Sequence, residues 1–228
     1  MCIRDRNLLA IETSSEVGTV ALHSGEELVQ RRIETPRDQT QQVLPIVEEL
    51  LAGDWLVLKD LEAIAFGRGP GSFTGLRIAT AIAQGLGLAA NLRLLPVSSL
   101  AAIAQGVWRS HSQKRSLVCI DARMGEVFWG AFEIRGDLAE LIGEEHLSVP
   151  ESVEYPDASD WVAVGSGYAA YPKNLADAVK SASSVFVDHI PEAVDLFPLA
   201  RSRLAGGEFV SPLAASPLYL REQSAWKK

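Results

Sequence analysis

Two cysteines in 228 residues, Cys2 and Cys119, are too few and too oddly placed for a disulfide framework, and Cys119 in the apolar run Leu117 to Ile120 reads as a small core residue. The four histidines, His23, His111, His146 and His189, are scattered, and no pair has the spacing of a metal-binding helix or knuckle, so no metal is expected. Long apolar runs are scarce too. The most apolar stretch, Ile78 to Leu92, carries Gln84 and Asn91 and reads as a buried or partner-facing helix, so no membrane span is expected. No basic region followed by an apolar core and a small-residue cleavage site opens the chain, and a cytoplasmic location is expected. Positive charge is in deficit, 21 Lys and Arg against 29 Asp and Glu. The net charge of −8 repels phosphate backbones and disfavours tight, independent nucleic-acid binding.

What is present is a folding composition, 47% apolar and 22% charged. Residues 1–6 (MCIRDR) fit no periodic pattern and read as a disordered leader or an artefact of gene assembly. From Leu8 the chain reads as three meandering strands, then a helix over QTQQVLPIVEELL with Val43, Leu44, Val47, Leu50 and Leu51 at helical spacing. Pro45 inside it either kinks the helix or marks its first turn. A short strand AIAF, a glycine loop, a helix from about Gly75 to Ala90, the strand LLPVSS and a further helix follow. The second half repeats the theme: SLVCIDAR, EVFWGAFEI and a third strand near Ala139 to Ser148, then alternating strands and helices. This order predicts a duplicated α/β fold of mixed sheets flanked by helices. The polar stretch HSQKRS reads as the link between lobes, giving an N-terminal lobe over 7–108 and a C-terminal lobe over 109–228 whose tail can pack back on the first lobe.

Three features are candidates for function. The loop Phe66 to Arg77 (FGRGPGSFTGLR) stands where a phosphate cradle would, before a helix start. Yet it has no lysine, and its glycines at 67, 69, 71 and 75 match neither phosphate-loop spacing, so spacing alone leaves nucleotide contact open but favours a structural or interface turn. Gly69, Gly71 and Ser72 would be the contacts. Glu12 and Asp121 end apolar strands at matching places in the two halves and could face a metal–phosphate group, or serve as turn and cap residues. The serines have no nucleophile-elbow setting. In the helix GLRIATAIAQGLGLAA, Ile78, Ile82, Leu86 and Ala89 form one stripe, while Ala79, Ala81, Ala83, Gly85 and Gly87 keep much of the rest small. Interior glycine costs a helix roughly 1 kcal/mol against alanine, so close packing is expected, by the lobe's own sheet or by a second protein.

The blocks IETSS, PRDQTQQVLP, GRGPGSFTGLRI, IDARMGEVFW and YLREQSAWKK, in this order from Asn7 to Lys228, resemble the bacterial TsaB (YeaZ) family. That resemblance implies a two-lobed actin-like ATPase and hexokinase (RNase H-like) fold. It also implies a part in making N6-threonylcarbamoyladenosine (t6A) at position 37 of tRNAs reading ANN codons. The implied role is a non-catalytic subunit without cofactor, which binds and activates the related transferase TsaD, meets the ATPase TsaE through the complex, and touches tRNA only indirectly. Alone it is expected to form a homodimer. TsaD binds metal through an H-x-x-x-H on the helix matching Thr40 to Leu51, where this chain has none and carries Gln39, Gln41 and Gln42 nearby. Glu12 replaces the usual aspartate, and Gln39 a histidine of several members. The implied interface is Val43, Leu44, Val47, Leu50, Leu51, Ile78, Ile82 and Leu86, with Arg77 at the rim. The competing readings are an ATP-dependent phosphotransferase or a peptidase of the same superfold.

Overall fold

The computed structural model describes residues 7–156 and 160–221. The leader 1–6 and the end of the tail, both singled out above, lie outside the described residues.

The chain falls into two compact units. In the first, β1 (Leu8–Glu12), β2 (Gly18–Ser24) and β3 (Glu27–Ile33) form an antiparallel meander. After α1 (Pro36–Gly53), β4 (Ala63–Gly69) lies parallel to β1, and after α2 (Phe73–Ala90), β5 (Arg93–Ser98) lies parallel to β4. The sheet order is β3-β2-β1-β4-β5. β1 reads as an unbroken apolar run because it is central and covered on both faces, and all five of its residues are buried. Edge strand β3 carries its charges outward.

α1 starts at Pro36, whose missing N–H costs nothing in the first turn. Pro45 lies well inside it, where the ring crowds the carbonyl four residues back. α2 starts at Phe73, two residues before the expected Gly75, because the Ser72 hydroxyl accepts from the Gly75 N–H at 3.3 Å and caps it. It ends at Asn91 in the left-handed conformation. α2 is long and apolar enough to cross a membrane by length and composition, with a mean hydropathy of 1.2. One of its faces nevertheless packs on the sheet through Ala79 and Ala83, in a cluster with Leu9, Ile11, Ile64 and Phe66.

In the second unit, α3 (Ser99–His111, of which Ser99 stays with the first unit) is followed by the meander β6 (Arg115–Arg123), β7 (Glu126–Arg135) and β8 (Leu138–Ser148). β9 (Val162–Val164) joins β6 in parallel, α4 (Gly167–Ala170) and α5 (Ala176–Ser181) follow, and β10 (Ser184–Phe186) pairs with β9. The order β10-β9-β6-β7-β8 repeats that of the first sheet, so the duplication read from the sequence is present. This is the two-lobed actin-like (RNase H-like) fold class. Cys119 is buried in the core of this unit with Leu117, Trp161 and Tyr168.

The unit boundaries differ from the expected 7–108 and 109–228. The first unit ends at Ser99 and takes in Pro191–Pro217. The reason is packing: α6 (Ala193–Ala205) covers the face of the first sheet opposite α1 and α2. The Ala193 N–H donates to Thr19 Oγ1 at 2.8 Å, the Val194 N–H to Gln30 Oε1 at 3.0 Å, and Arg203 to the Pro96 carbonyl at 2.9 Å. In turn α3, read as part of the first lobe, groups with the second unit. Its Gln105 bridges the Asp137 carbonyl and the Ala139 N–H, both at 2.9 Å.

Candidate functional site

The glycine loop is filled by the chain itself. At the end of β1 the Glu12 side chain turns under β4: Oε1 accepts from the Ser14 N–H at 2.7 Å and Oε2 from the Ser99 hydroxyl at 2.9 Å. Its carboxylate occupies the space a side chain at position 67 would need, since a Cβ on Gly67 would stand 2.0 Å from Oε2. Glu12 has 0% exposure, and burial pushes its carboxyl above the usual carboxylate range, the hydrogen bonds from Ser14 and Ser99 offsetting part of that rise. At the next residue, the Thr13 hydroxyl donates to the Gly75 carbonyl at 2.7 Å, and a Cβ on Gly75 would stand 1.7 Å from the Thr13 carbonyl oxygen. The Ser72 N–H donates to the Ser14 carbonyl at 2.8 Å. A Cβ on Gly71 would stand 2.6 Å from the Ser14 carbonyl oxygen, so Glu12, Gly71 and Ser72 all help to seat the first turn of α2 on the exit of β1. Gln39, buried, donates its amide to the Ser15 carbonyl at 3.0 Å and secures the same turn from α1.

Asp121 does comparable work in the second unit. It stands at the register shift near the end of β6, accepts from the Arg123 N–H at 2.8 Å and from the Tyr171 hydroxyl at 3.0 Å, and forms an ion pair with the Arg123 guanidinium at 2.9 Å. Arg123, Met124 and Gly125 all have positive φ, so IDARMGEV is a tight hairpin whose glycine fits the left-handed region. Arg221 ties that hairpin from the tail, donating to the Ala122 carbonyl at 3.2 Å and pairing with Glu126 at 2.7 Å. Among the described residues no three His, Cys, Asp or Glu side chains gather as a metal ion would require.

The expected interface residues separate into two sets. Val43, Val47, Leu50 and Leu51 are buried in the first unit's own core and offer nothing to a partner. Their i, i+4, i+7, i+8 spacing is that of a helix seated on its sheet, which corrects the interface reading for these four. Leu44, off that stripe, is 45% exposed. On α2, Ile78, Ile82 and Leu86 are half-buried: they touch the core on one side and face outward on the other. Between α1 and α2 runs a groove of about 380 Å³, formed by Thr40 and Leu44 from α1 and by Phe73, Thr74, Arg77, Ile78, Ala81 and Ile82 from α2. Arg77 is exposed, and its guanidinium lies 3.8 Å from the centroid of the Phe73 ring. Farther along α2, Leu88 is 56% exposed.

The two interior glycines of α2 differ. A Cβ on Gly87 would come within 3.0 Å of Leu94 and of Pro212, so its own unit explains it. Gly85 meets nothing within 4 Å and keeps that part of the face low. Phe73, exposed at 53%, was missed in the sequence reading, where it passed as part of the loop. Its signal was positional: it directly follows a serine cap and stands four residues before Arg77.

Residues 33–225 match the family model described as TsaD, tRNA N6-adenosine threonylcarbamoyltransferase. The chain is 41% identical to the tRNA threonylcarbamoyladenosine biosynthesis protein TsaB of Escherichia coli (strain K12), over 97% of this chain and 97% of that protein. It is 35% identical to TsaB of Haemophilus influenzae, over 99% and 98%. The solved structure of YeaZ from Pseudomonas aeruginosa superposes with a TM-score of 0.87 at 38% identity, over 94% of this chain and 100% of that one. End-to-end cover at this identity, on a fold with the same duplicated sheets, means that the chain belongs to the TsaB (YeaZ) family of tRNA threonylcarbamoyladenosine biosynthesis proteins.

Proposed function

We propose that this chain is a non-catalytic subunit that binds and activates TsaD in forming t6A at position 37 of tRNAs reading ANN codons. It works in the cytoplasm, meets TsaE and tRNA through that complex, and pairs with itself through the same face when alone. The observation that carries the reading is the outward face of α1 and α2. Leu44, Phe73, Ile78, Ala81, Ile82 and Leu88 are held on two helices whose other sides are anchored in the core, and Arg77 is the one charged side chain lining the groove between them. Apolar area kept on rigid elements is the usual mark of a protein interface. The fate of Glu12 supports the non-catalytic half: an acid with no exposed surface and both oxygens engaged is poorly placed to act on a substrate.

Ile82→Asp puts a charge into the groove without touching the deepest core. It is expected to abolish capture of TsaD, and with it t6A synthesis in a mixture of TsaD, TsaE, tRNA, threonine, bicarbonate, ATP and the synthase that makes the threonylcarbamoyl adenylate, while leaving the thermal melt close to wild type. Full activity of that mixture with this chain omitted would remove the activation claim. Calorimetry with Mg-ATP separates the competing phosphotransferase: micromolar binding by the isolated chain favours that enzyme over the subunit.

A further inference from the structure

On the face of the first sheet that α6 covers, two basic side chains meet. His23, near the end of β2, turns toward α6, where its imidazole meets the Phe197 ring edge-on with centroids 5.7 Å apart. Arg201 stands one turn beyond Phe197 on the same side of α6, and its positive charge acts on the imidazole. The cross-strand neighbours of His23 are Leu8 on β1 and Leu28 on β3, so the charge facing it comes from α6 alone. His23 Nδ1 meets only the residue's own main chain, and Arg201 Nε meets no acceptor among the described residues, although both atoms are buried. Arg203, two residues on, is served differently: it donates to the Pro96 carbonyl at 2.9 Å and lies 3.7 Å from a Glu208 oxygen.

Burial disfavours the charged form of both His23 and Arg201, and the Arg201 charge presses on His23 further. A guanidinium does not shed its proton at working pH, so what relieves a half-buried one is a counter-ion. Both side chains are half-buried. With their inner atoms sealed, the imidazole Nε2 and the guanidinium Nη atoms are the donors left to a ligand arriving from solvent. We propose that His23 and Arg201 form a binding site for a phosphate group between β2 and α6. Two elements supply the donors, and together they carry two charges once the imidazole is protonated, which a tetrahedral dianion balances and a single carboxylate does not. The site is separate from the features described above. His23 lies opposite Leu8, four residues or about 13 Å along β2 from Thr19, which lies opposite Glu12, and α6 covers the sheet face turned away from α1 and α2.

Proton NMR of the full chain in sulfate and in chloride at equal ionic strength tests this, because sulfate stays doubly charged across the range in which histidine titrates. The four histidines give four imidazole signals, and the one that His23→Gln removes belongs to His23. Sulfate is expected to raise the His23 midpoint by about one pH unit over its value in chloride and to leave the other three in place. Arg201→Gln cancels that rise, and Arg201→Lys, which keeps the charge and the stem but not the fork, retains part of it. In calorimetry, Arg201→Gln weakens the binding of inorganic phosphate and of glycerol phosphate about tenfold or more. Equal affinity of the wild type for the two ligands makes the terminal phosphate the recognised group, and binding of inorganic phosphate alone makes the site one for the free ion. A His23 midpoint that is the same in both salts overturns the site, as does a rise that survives in full in Arg201→Gln. Acetate matching the effect of sulfate overturns the assignment to a phosphate-like dianion.

Discussion

The two sheets have the same strand order, yet what fills the gaps between their strands differs. After the meander of the first unit comes an 18-residue helix, α1, and a second helix of 18 residues, α2, precedes β5. At the matching places the second unit has a three-residue turn at Pro150–Ser152 and two helices of four and six residues. Helices of one or two turns are marginal by themselves and too short to present an extended second face. The long helices of the first unit anchor one side in the core and still display another. Duplication thus explains the sheets, and elaboration of one copy explains where a partner surface can exist. The matched acids differ in the same sense: Glu12 is sealed under β4 on the Ser14 N–H and the Ser99 hydroxyl, whereas Asp121 pairs with Arg123 at a hairpin rim.

The sharpest way to break this comparison is at one close-packed glycine in each unit. Gly75→Ala drives a methyl to 1.7 Å from a backbone oxygen, which cannot rotate away, whereas Gly167→Ala meets chiefly the Cys119 sulfur at 2.6 Å. Gly75→Ala is expected to cost about 3 kcal/mol despite alanine's better helix propensity, and Gly167→Ala about 1–2 kcal/mol, both read from urea denaturation. The reverse order would mean that the seat of α2 on β1 is looser than its geometry indicates. Next come Leu50 and Leu44 on one helix. Leu50→Ala should cost about 2–3 kcal/mol by opening a cavity. Leu44→Ala should stay within about 0.5 kcal/mol of wild type and instead weaken TsaD binding. Loss of stability without loss of binding in Leu44→Ala would merge the two faces that α1 is said to keep apart.

Glu12 gives a pH signature. Its carboxyl is raised above the unfolded value by burial, so folding favours the protonated form. The stability this provides is fully present below the ordinary glutamate range and is lost as pH rises through the elevated value. Glu12→Gln removes that dependence. Its melting temperature relative to wild type is expected to improve as pH rises above the ordinary glutamate range, measured by calorimetry. An offset that does not change with pH means the carboxylate is as well solvated by its donors as by water.

The strands were legible because their signal is local: the central ones read as apolar runs, and turn residues such as Gly25, Gly125 and Gly136 punctuate the meanders. The helix α1 was legible as well, but not which way it faces. Val43 and Leu44 are adjacent and both apolar, and only the sheet decides that the first is buried and the second exposed. The exchange of α3 and α6 between units was not legible, since it rests on hydrogen bonds such as Ala193 to Thr19, more than 170 residues apart. The spacing of the glycine loop alone leaves both readings open, and what the structure adds is that Gly67 makes room for Glu12 and Gly75 for Thr13. A phosphate cradle and a close crossing of two chains ask for the same residue, because each needs a backbone with no Cβ in the way.

The smallest expected effect belongs to Asp121→Asn. The amide keeps an oxygen for the Arg123 N–H and the Tyr171 hydroxyl, so only the charge facing the Arg123 guanidinium is lost. That guanidinium is largely exposed, and an exposed pair of this kind contributes at most about 0.5 kcal/mol once solvent screening is counted. The variant should therefore melt within a degree or two of wild type, and raising the salt concentration should erase even that difference. Asp121→Ala loses the acceptor as well and should cost about 1 kcal/mol. If the asparagine variant were as damaged as the alanine one, the charge itself would be needed at the hairpin. The two matched acids would then share an electrostatic role that their surroundings argue against: one is a buried spacer beneath β4, the other a hydrogen-bond acceptor that holds a turn in shape.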